Sequence, residues 1–358
     1  MGWVLMSERE VHRIEVLSCV VERSMTVAHA AAVLCLSERQ VQLLLKIFRE
    51  EGAASIRHKA RGRPSHNRIR NGLRAYTMAI MRDRYAPDQF HATAAIPNGE
   101  LAQLIAGGGV VGRVDAAHAF MIEPTVVRPI SLLTDAHGAP VNVETYALPK
   151  LRANQSATVI GVFGASMNSG KTTAASSLAH GLKRAGFATF GVKATGTGAF
   201  GDDNSFADAG VAVLDFTDVG MATTYRMPMA RIEAGFETLI ATAAAGGAEV
   251  IVVEIADGVF QQEARAILKA GAIRDRMDGI LFAAPDALSA LGGVYVLEKL
   301  GLSPFAISGK VSSSPLARAE AEEVTGLPVL SREDLWDAAV IHAHVAPMMR
   351  HLRSQSAA

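Results

Sequence analysis

The chain has 358 residues, of which 49% are hydrophobic, 20% charged and 6% aromatic. That composition excludes wholesale disorder and fibres, and predicts two or three domains with sizeable cores. Lys and Arg (35) balance Asp and Glu (35), but residues 1–75 hold 13 basic against 7 acidic side chains, leaving 22 against 28 beyond them. Only two cysteines, Cys19 and Cys35, are present, too few for a disulfide framework or a Cys-built zinc site. With no cleavable-signal pattern and no apolar run of about 18 residues, the expectation is a cytoplasmic protein with no membrane partner.

Before residue 53 the spacing predicts three helices. Ser7 with Glu10 forms a capping-box pattern ahead of Val11, Ile14, Val16, Leu17 and Val20; Thr26 opens an Ala-rich segment to about Leu34; Ser37 with Gln40 opens a third. The third segment has Val41, Leu44, Leu45 and Phe48 on one face and Arg39, Gln42, Lys46 and Arg49 on the other. Two short helices across a tight turn, the second with a basic outer face, suit insertion into a DNA major groove, and a plain three-helix bundle has the same pattern. Arg57, Lys59, Arg61, Arg63, Arg68, Arg70 and Arg74 then follow with no acid between them. Within that run, Arg61-Gly62-Arg63-Pro64 has the form of an AT-hook, with Arg61 and Arg63 suited to a narrow minor groove; a flexible basic linker is the alternative.

The stretch SEREVHRIEVLSCVVERSMTVAHAAAVLCLSERQVQLLLKIFREEGAASIRHKARGRPSHNRI resembles the DNA-binding region of bacterial insertion-sequence transposases, a likeness covering about the first 85 residues. The resemblance implies a helix-turn-helix over residues 1–75 with DNA as partner. Cys35 departs from it, standing where such turns commonly carry glycine; if left-handed, that position costs about 1 kcal/mol. A transposase also needs carboxylates gathered around metals, and no such constellation is assignable downstream.

Residues 76–150 read as a small mixed α/β or β segment, with apolar runs at Val126–Leu133 and Val141–Leu148 split by the turn-like Asp135-Ala136-His137-Gly138. Gly107, Gly109 and Gly112 match G-x-G-x-x-G without the strand and capped helix that a dinucleotide site needs.

Residues 151–350 carry the strongest signal. TVIGVF reads as a buried strand, GASMNSGKTT as a loop and AASSLAHGLKRAG as a helix, the context that a P-loop requires. Gly164, Ser166, Asn168, Ser169, Gly170, Lys171, Thr172 and Thr173 are the expected phosphate-cradle residues. Lys171 would bridge phosphates and Thr172 would ligate Mg2+. EVIVVE ends a further strand on Glu254, a Walker B position for Mg2+ or its water. The expected fold class is therefore α/β, a P-loop NTPase with a wound, mostly parallel sheet, preceded by an all-α helix-turn-helix module and the small mixed β segment.

Five residues separate Gly164 from Gly170, one more than the usual P-loop spacing. This loop resembles dethiobiotin synthetase and the cobyrinic acid a,c-diamide synthases. The resemblance implies that Lys193, in Lys193-Ala194-Thr195-Gly196-Thr197-Gly198, is catalytic together with Lys171 and Glu254, and that Asp202 and Asp203 join Thr172 and Glu254 at the metal. RYAPDQF, GASMNSGKTT, KATGTGAFGDD, LDFTDVGMATTYR and VVEIADG also look like a bacterial family of P-loop proteins of unassigned reaction. Asn-Lys-x-Asp, the guanine-reading motif of many GTPases, is absent from the sequence, which favours ATP with Mg2+.

Three functions follow. The first is ATP-dependent phosphorylation of a small molecule's carboxylate or carbamate, with Thr195, Gly196, Asp218, Thr223, Tyr225 and Arg226 on the substrate side and Arg226 pairing with the carboxylate. The second is a nucleotide-regulated DNA-binding regulator. The third is a vestigial transposase fragment joined to an intact NTPase. A homodimer is expected in each.

Overall fold

The computed structural model describes residues 8–22, 24–34, 38–51, 79–96, 100–151, 156–269 and 271–349. The chain divides into two compact units, Met1–Thr77 and Met78–Ala358.

The first unit contains α1 (Glu8–Val21), α2 (Val27–Leu34) and α3 (Glu38–Glu51). Thr26 caps α2, its hydroxyl accepting the His29 amide at 3.2 Å. Val16, Leu17 and Val20 of α1 close over Ala30 and Ala31 of α2 and Val41 and Leu45 of α3. The alanines let the short middle helix lie close to its neighbours. The caps expected at Ser7 and Ser37 fall outside the described residues.

The second unit begins with a small mixed sheet: β1 (Ile80–Met81), β2 (Arg84–Tyr85), β3 (Phe90–Thr93), β4 (Ala102–Leu104), β5 (Val110–Ala117) and β6 (Val126–Val127). Its order is β2-β3-β5-β4-β6, antiparallel throughout, with β1 pairing parallel to β5. Phe90, Ala92, Ile105 and Val110 form its core. The expected apolar runs fare differently from a strand pair: only Val126 and Val127 pair, and Ile130, Leu132, Leu133 and Tyr146 are exposed. Pro129 lacks the N–H needed to continue the ladder. The turn between the runs does form, with Asp135 Oδ1 accepting from His137 N at 2.8 Å and Ala139 N at 2.9 Å. Gly109 serves the β4–β5 turn and Gly112 lies within β5, so the glycine triplet builds the small sheet.

The remainder alternates strand and helix: β7 (Thr158–Gly164), α4 (Lys171–Arg184), β8 (Thr189–Lys193), α5 (Phe200–Asp208), β9 (Ala212–Asp215), α6 (Met229–Ala245) and β10 (Val250–Glu254). It continues through α7 (Gln262–Lys269), α8 (Ala272–Asp275), β11 (Gly279–Ala283), α9 (Ala287–Lys299), β12 (Ala306–Ser308), α10 (Pro315–Thr325), α11 (Arg332–Trp336) and α12 (Ala338–Val345). All pairings are parallel, in the order β12-β11-β7-β10-β8-β9. Every residue of β7 and β10 is buried, as central parallel strands covered on both faces require. One face packs Leu178 and Leu182 of α4 against Ile160 and Val162; the other packs Phe236, Leu239 and Ile240 of α6 around Val159 and Val253. This is an α/β P-loop fold, and it brings the carboxyl ends of β7, β8 and β10 side by side.

Candidate functional site

β7 ends at Gly164, residues 165–170 turn, and α4 starts at Lys171. The free N–H groups and positive dipole end of α4 therefore face the loop. Lys171 is buried and folds back, its Nζ donating to Ser166 O at 2.8 Å. Burial pulls its ammonium below the ordinary lysine value, against the charges of Glu254 and Asp257. Ser166, Asn168 and Thr173 are exposed, Ser169 is buried and Gly164 closes the strand. Ser169 Oγ has no hydrogen-bond partner among the described residues, while its carbonyl accepts Lys310 N at 3.0 Å. Gly309 makes that approach feasible: its φ is 93° and an added Cβ would lie 2.3 Å from Ser169 O.

The acids converge on Thr172. Its Oγ1 lies 2.9 Å from Glu254 Oε1 and 3.0 Å from Asp202 Oδ1. A hydroxyl has one proton, so it satisfies one carboxylate at a time and leaves oxygens facing oxygens, a donor set suited to a hard cation. Glu254 Oε2 and Asp203 Oδ1 are buried without a partner among the described residues. These oxygens fit a Mg2+ that keeps several waters and takes few protein ligands. The described residues contain no group of three or more His, Cys, Asp or Glu placed to hold an ion by themselves.

Lys193, at the end of β8, is buried beside the same acids, bonding Asp202 Oδ2 and lying 3.6 Å from Glu254 Oε1. Burial lowers its ammonium's pKa, but Glu254 and Asp202 more than reverse this and hold it above the ordinary lysine value. Asp203 is raised by burial and by Asp218 and Asp202. Burial also raises Asp215, which ends β9 in register with Lys193 of β8, to about 7.

The expected substrate residues separate into two groups. Thr195, Gly196 and Tyr225 line a pocket with Tyr85, Thr197, Thr224, Asp257, Gln261 and Glu263. Thr195 Oγ1 accepts Ala256 N at 2.8 Å, Gly196 N donates to Thr224 Oγ1 at 2.9 Å, and Tyr225 Oη lies 3.4 Å from His91 Nε2. Asp218, Thr223 and Arg226 are outside that lining. Asp218 accepts Asp215 N at 2.8 Å in a capping box, and Thr223 Oγ1 accepts Tyr225 N at 3.3 Å. Arg226 is half exposed and pairs with Asp83 Oδ2 at 3.1 Å.

The small sheet supplies residues to which the sequence reading gave no part in the site. Tyr85 packs against Tyr225 with ring centroids 5.6 Å apart. Asn168, at the crown of the phosphate loop with φ 58°, donates to Asp88 Oδ2. Buried Arg84 donates to Gln89 Oε1 at 2.6 Å and to the Ile105 carbonyl. Arg84, Tyr85 and Asp88 lie in the stretch RYAPDQF, and its place beside the phosphate loop is invisible in the sequence because 80 positions separate Asp88 from Asn168. Asp257 did carry a signal, an acid-glycine pair beginning three residues past the end of β10, and it has φ 61°.

In the helical unit, Arg39, Gln42, Lys46 and Arg49 are all exposed on α3. Gln42, Lys46 and Arg49 border a groove with Val27 and Leu45. Arg61, Arg63 and Cys35 lie outside the described residues.

Residues 13–75 match a family model described as a winged helix-turn helix. Over 86 residues the chain is 60% identical to a putative transposase, y4bF, of Sinorhizobium fredii (strain NBRC 101917 / NGR234), covering 24% of this chain and 19% of that protein. The chain thus spans about a fifth of that relative's length. The N-terminal region is similar to a transposase helix-turn-helix. Among solved structures, HypB from Helicobacter pylori in complex with nickel aligns at 14% identity and TM-score 0.39, covering 55% of this chain and 89% of that one. The signal recognition particle 54 kDa protein from Aeropyrum pernix K1 with GDP aligns at 19% and 0.35, covering 54% and 49%. The signal recognition particle receptor FtsY from Elizabethkingia anophelis with GDP aligns at 16% and 0.33, covering 56% and 67%. At these scores the fold assignment rests on the sheet order and phosphate loop described above. No described helix is long and apolar enough to cross a membrane.

Proposed function

We propose that the second unit binds Mg-ATP and transfers its terminal phosphoryl group to a small molecule, and that the first unit binds DNA. The observation that carries the reading is the convergence of Lys171, Thr172, Lys193, Asp202 and Glu254 where the phosphate loop meets α4. Phosphoryl transfer asks a protein chiefly for positioning and charge neutralisation. Lys171 and the amides of residues 166–172 would hold the phosphates. Thr172, Asp202 and Glu254 would hold Mg2+, which supplies charge neutralisation when bound, with Asp203 near it. Lys193, carrying a full positive charge, would face the transferred group.

The dethiobiotin synthetase resemblance favours a carboxylate or carbamate acceptor held by Arg226. That role requires Arg226 to leave Asp83 and turn toward a pocket whose charged lining groups are Asp257 and Glu263. ATP over GTP rests on the missing guanine-reading motif. The test is calorimetric titration of Mg-ATP and Mg-GTP into the full chain and Lys171→Ala. Micromolar binding of ATP lost in the variant supports the reading; no binding, or binding indifferent to Lys171, overturns it.

The exposed basic face of α3 favours a second reading, in which nucleotide controls DNA affinity. Repeating the titration with a duplex library at two salt concentrations separates the two. Selective, ATP-dependent DNA affinity supports a regulator; weak, unselective affinity indifferent to ATP leaves the front end a passive transposase remnant.

A further inference from the structure

We infer that Asp257 is the proton acceptor for an acceptor whose hydroxyl enters the pocket between Tyr85, Tyr225 and Glu263, a space of about 10 Å³ that admits one water-sized group. The inference rests on the phosphoryl-transfer reading and puts a hydroxyl in place of the carboxylate acceptor that the dethiobiotin synthetase resemblance implies.

Asp257 joins the phosphate loop to the pocket. The neighbouring Gly258 is pressed against the loop's first residues, where an added Cβ would lie 2.4 Å from Ala165 O and 2.8 Å from Ser166 Cα. Asp257 itself lines the pocket, together with Thr195, Thr197, Thr224 and the tyrosine pair. Its backbone is left-handed, at φ 61°, a conformation unusual outside glycine that aspartate and asparagine tolerate best. Such strain at a site edge marks a side chain whose position is fixed by its surroundings.

The two pocket acids differ in availability. Glu263 is committed, accepting Arg226 N on Oε1 at 2.9 Å and the Gln261 amide on Oε2. The Asp257 carboxylate is not engaged in this way, and charged groups surround it. Lys171 from α4, Lys193 from β8 and Arg84 from β2 favour its ionised form, while burial and Glu263 from α7 oppose it. Burial dominates and raises it to about 6, so at neutral pH it is mostly ionised yet more basic than a surface aspartate.

A carboxylate acceptor attacks phosphorus without losing a proton and needs a cation to hold it. A hydroxyl needs the reverse, a base beside the attacking oxygen, and the pocket offers hydroxyls, aromatic faces and a free carboxylate. In the transfer, the acceptor O–H proton passes to Asp257 and the oxygen forms its bond to the γ-phosphorus. The bond from that phosphorus to the β-phosphate oxygen breaks and releases ADP.

The test uses the full chain with Mg-ATP and three acceptors: water, glycerol, and succinate with hydroxylamine to trap any acyl phosphate. Asp257→Asn preserves shape and tolerates the left-handed backbone; Asp257→Gly relieves that backbone. The expected result is ATP affinity within about twofold of wild type for Asp257→Asn, with transfer to water and glycerol reduced about 100-fold or more. The acid limb of the wild-type rate profile near pH 6 disappears in that variant, and Asp257→Gly is equally slow. Wild-type rates in Asp257→Asn, rescue by Asp257→Gly, or transfer to succinate alone overturns the assignment. So does a wild-type chain that binds Mg-ATP and passes phosphate to neither water nor glycerol. Failure of the underlying reading shows separately, as absent Mg-ATP binding.

Discussion

Lys193 Nζ lies 3.6 Å from Glu254 Oε1, and the two residues face each other in register on adjacent parallel strands, both buried. Asp202, in the first turn of α5, closes the group from outside the sheet. Removing the lysine leaves two acids with an uncompensated burial penalty. Lys193→Met is expected to lower unfolding free energy by about 3–5 kcal/mol in urea titrations at pH 7.5, whereas Glu254→Gln, which leaves the Asp202 pair, costs less. Equal stability of wild type and Lys193→Met would show that the group is not a closed buried pair.

The Gly309 approach to Ser169 predicts a second outcome. Gly309→Ala forces a methyl against a backbone carbonyl at a φ that L-residues rarely adopt. The expected effect is a loss of about 2 kcal/mol or more in stability together with weaker Mg-ATP binding, since the displaced carbonyl belongs to the phosphate loop. Thermal melts and calorimetry on one preparation check both; unchanged nucleotide affinity would separate Gly309 from loop geometry.

Asp215 predicts a pH dependence. Its carboxyl titrates at about 7 in the folded chain and 3.8 by its ordinary value, chiefly because it is buried. The folded state therefore binds the proton more tightly. Stability from this group is full below pH 4, declines between pH 4 and 7 and is flat above, a total of about 4 kcal/mol. Asp215→Asn keeps an oxygen for Thr217 N, which the aspartate accepts at 2.7 Å, and removes the decline. Denaturant midpoints from pH 4 to 8 should flatten in the variant over that window; parallel profiles would refute the assignment.

On α3, Lys46 and Arg49 are exposed while Leu45, next to Lys46, is buried. Lys46→Ala and Arg49→Ala are each expected to reduce the salt slope of duplex binding by about 1 without changing helix content. Leu45→Ala instead costs the helical unit about 2–4 kcal/mol. Fluorescence anisotropy at several salt concentrations, paired with circular dichroism, distinguishes the two effects.

The phosphate loop and its acids were legible in the sequence because each sits beside a local signal. Gly164 and Lys171 bracket one turn, Glu254 ends a run of buried β-branched residues, and Lys193 ends the neighbouring strand. The α3 faces were legible for the same reason, since 3.6-residue periodicity needs no tertiary information. The pocket wall from the small sheet was not. Tyr85, Asp88 and His91 meet Tyr225 and Asn168 only through long-range folding, and two- to four-residue strands carry too little alternation to register. Asp218 and Arg226 were read for their chemistry alone. The structure occupies them with the Asp215 cap and with Asp83.

The seam between the compact units falls at residues 77 and 78, and the pocket lining begins with Tyr85. Every group in the phosphate site and pocket therefore comes from one continuous stretch on the far side of that seam. A recombination event ahead of Met78 exchanges the front module without touching these residues, whereas a cut at residue 150 removes Tyr85 from the pocket lining and Asp88 from its bond with Asn168. An evolutionary splice and an engineered truncation would thus have opposite consequences, although the second spares the entire parallel sheet.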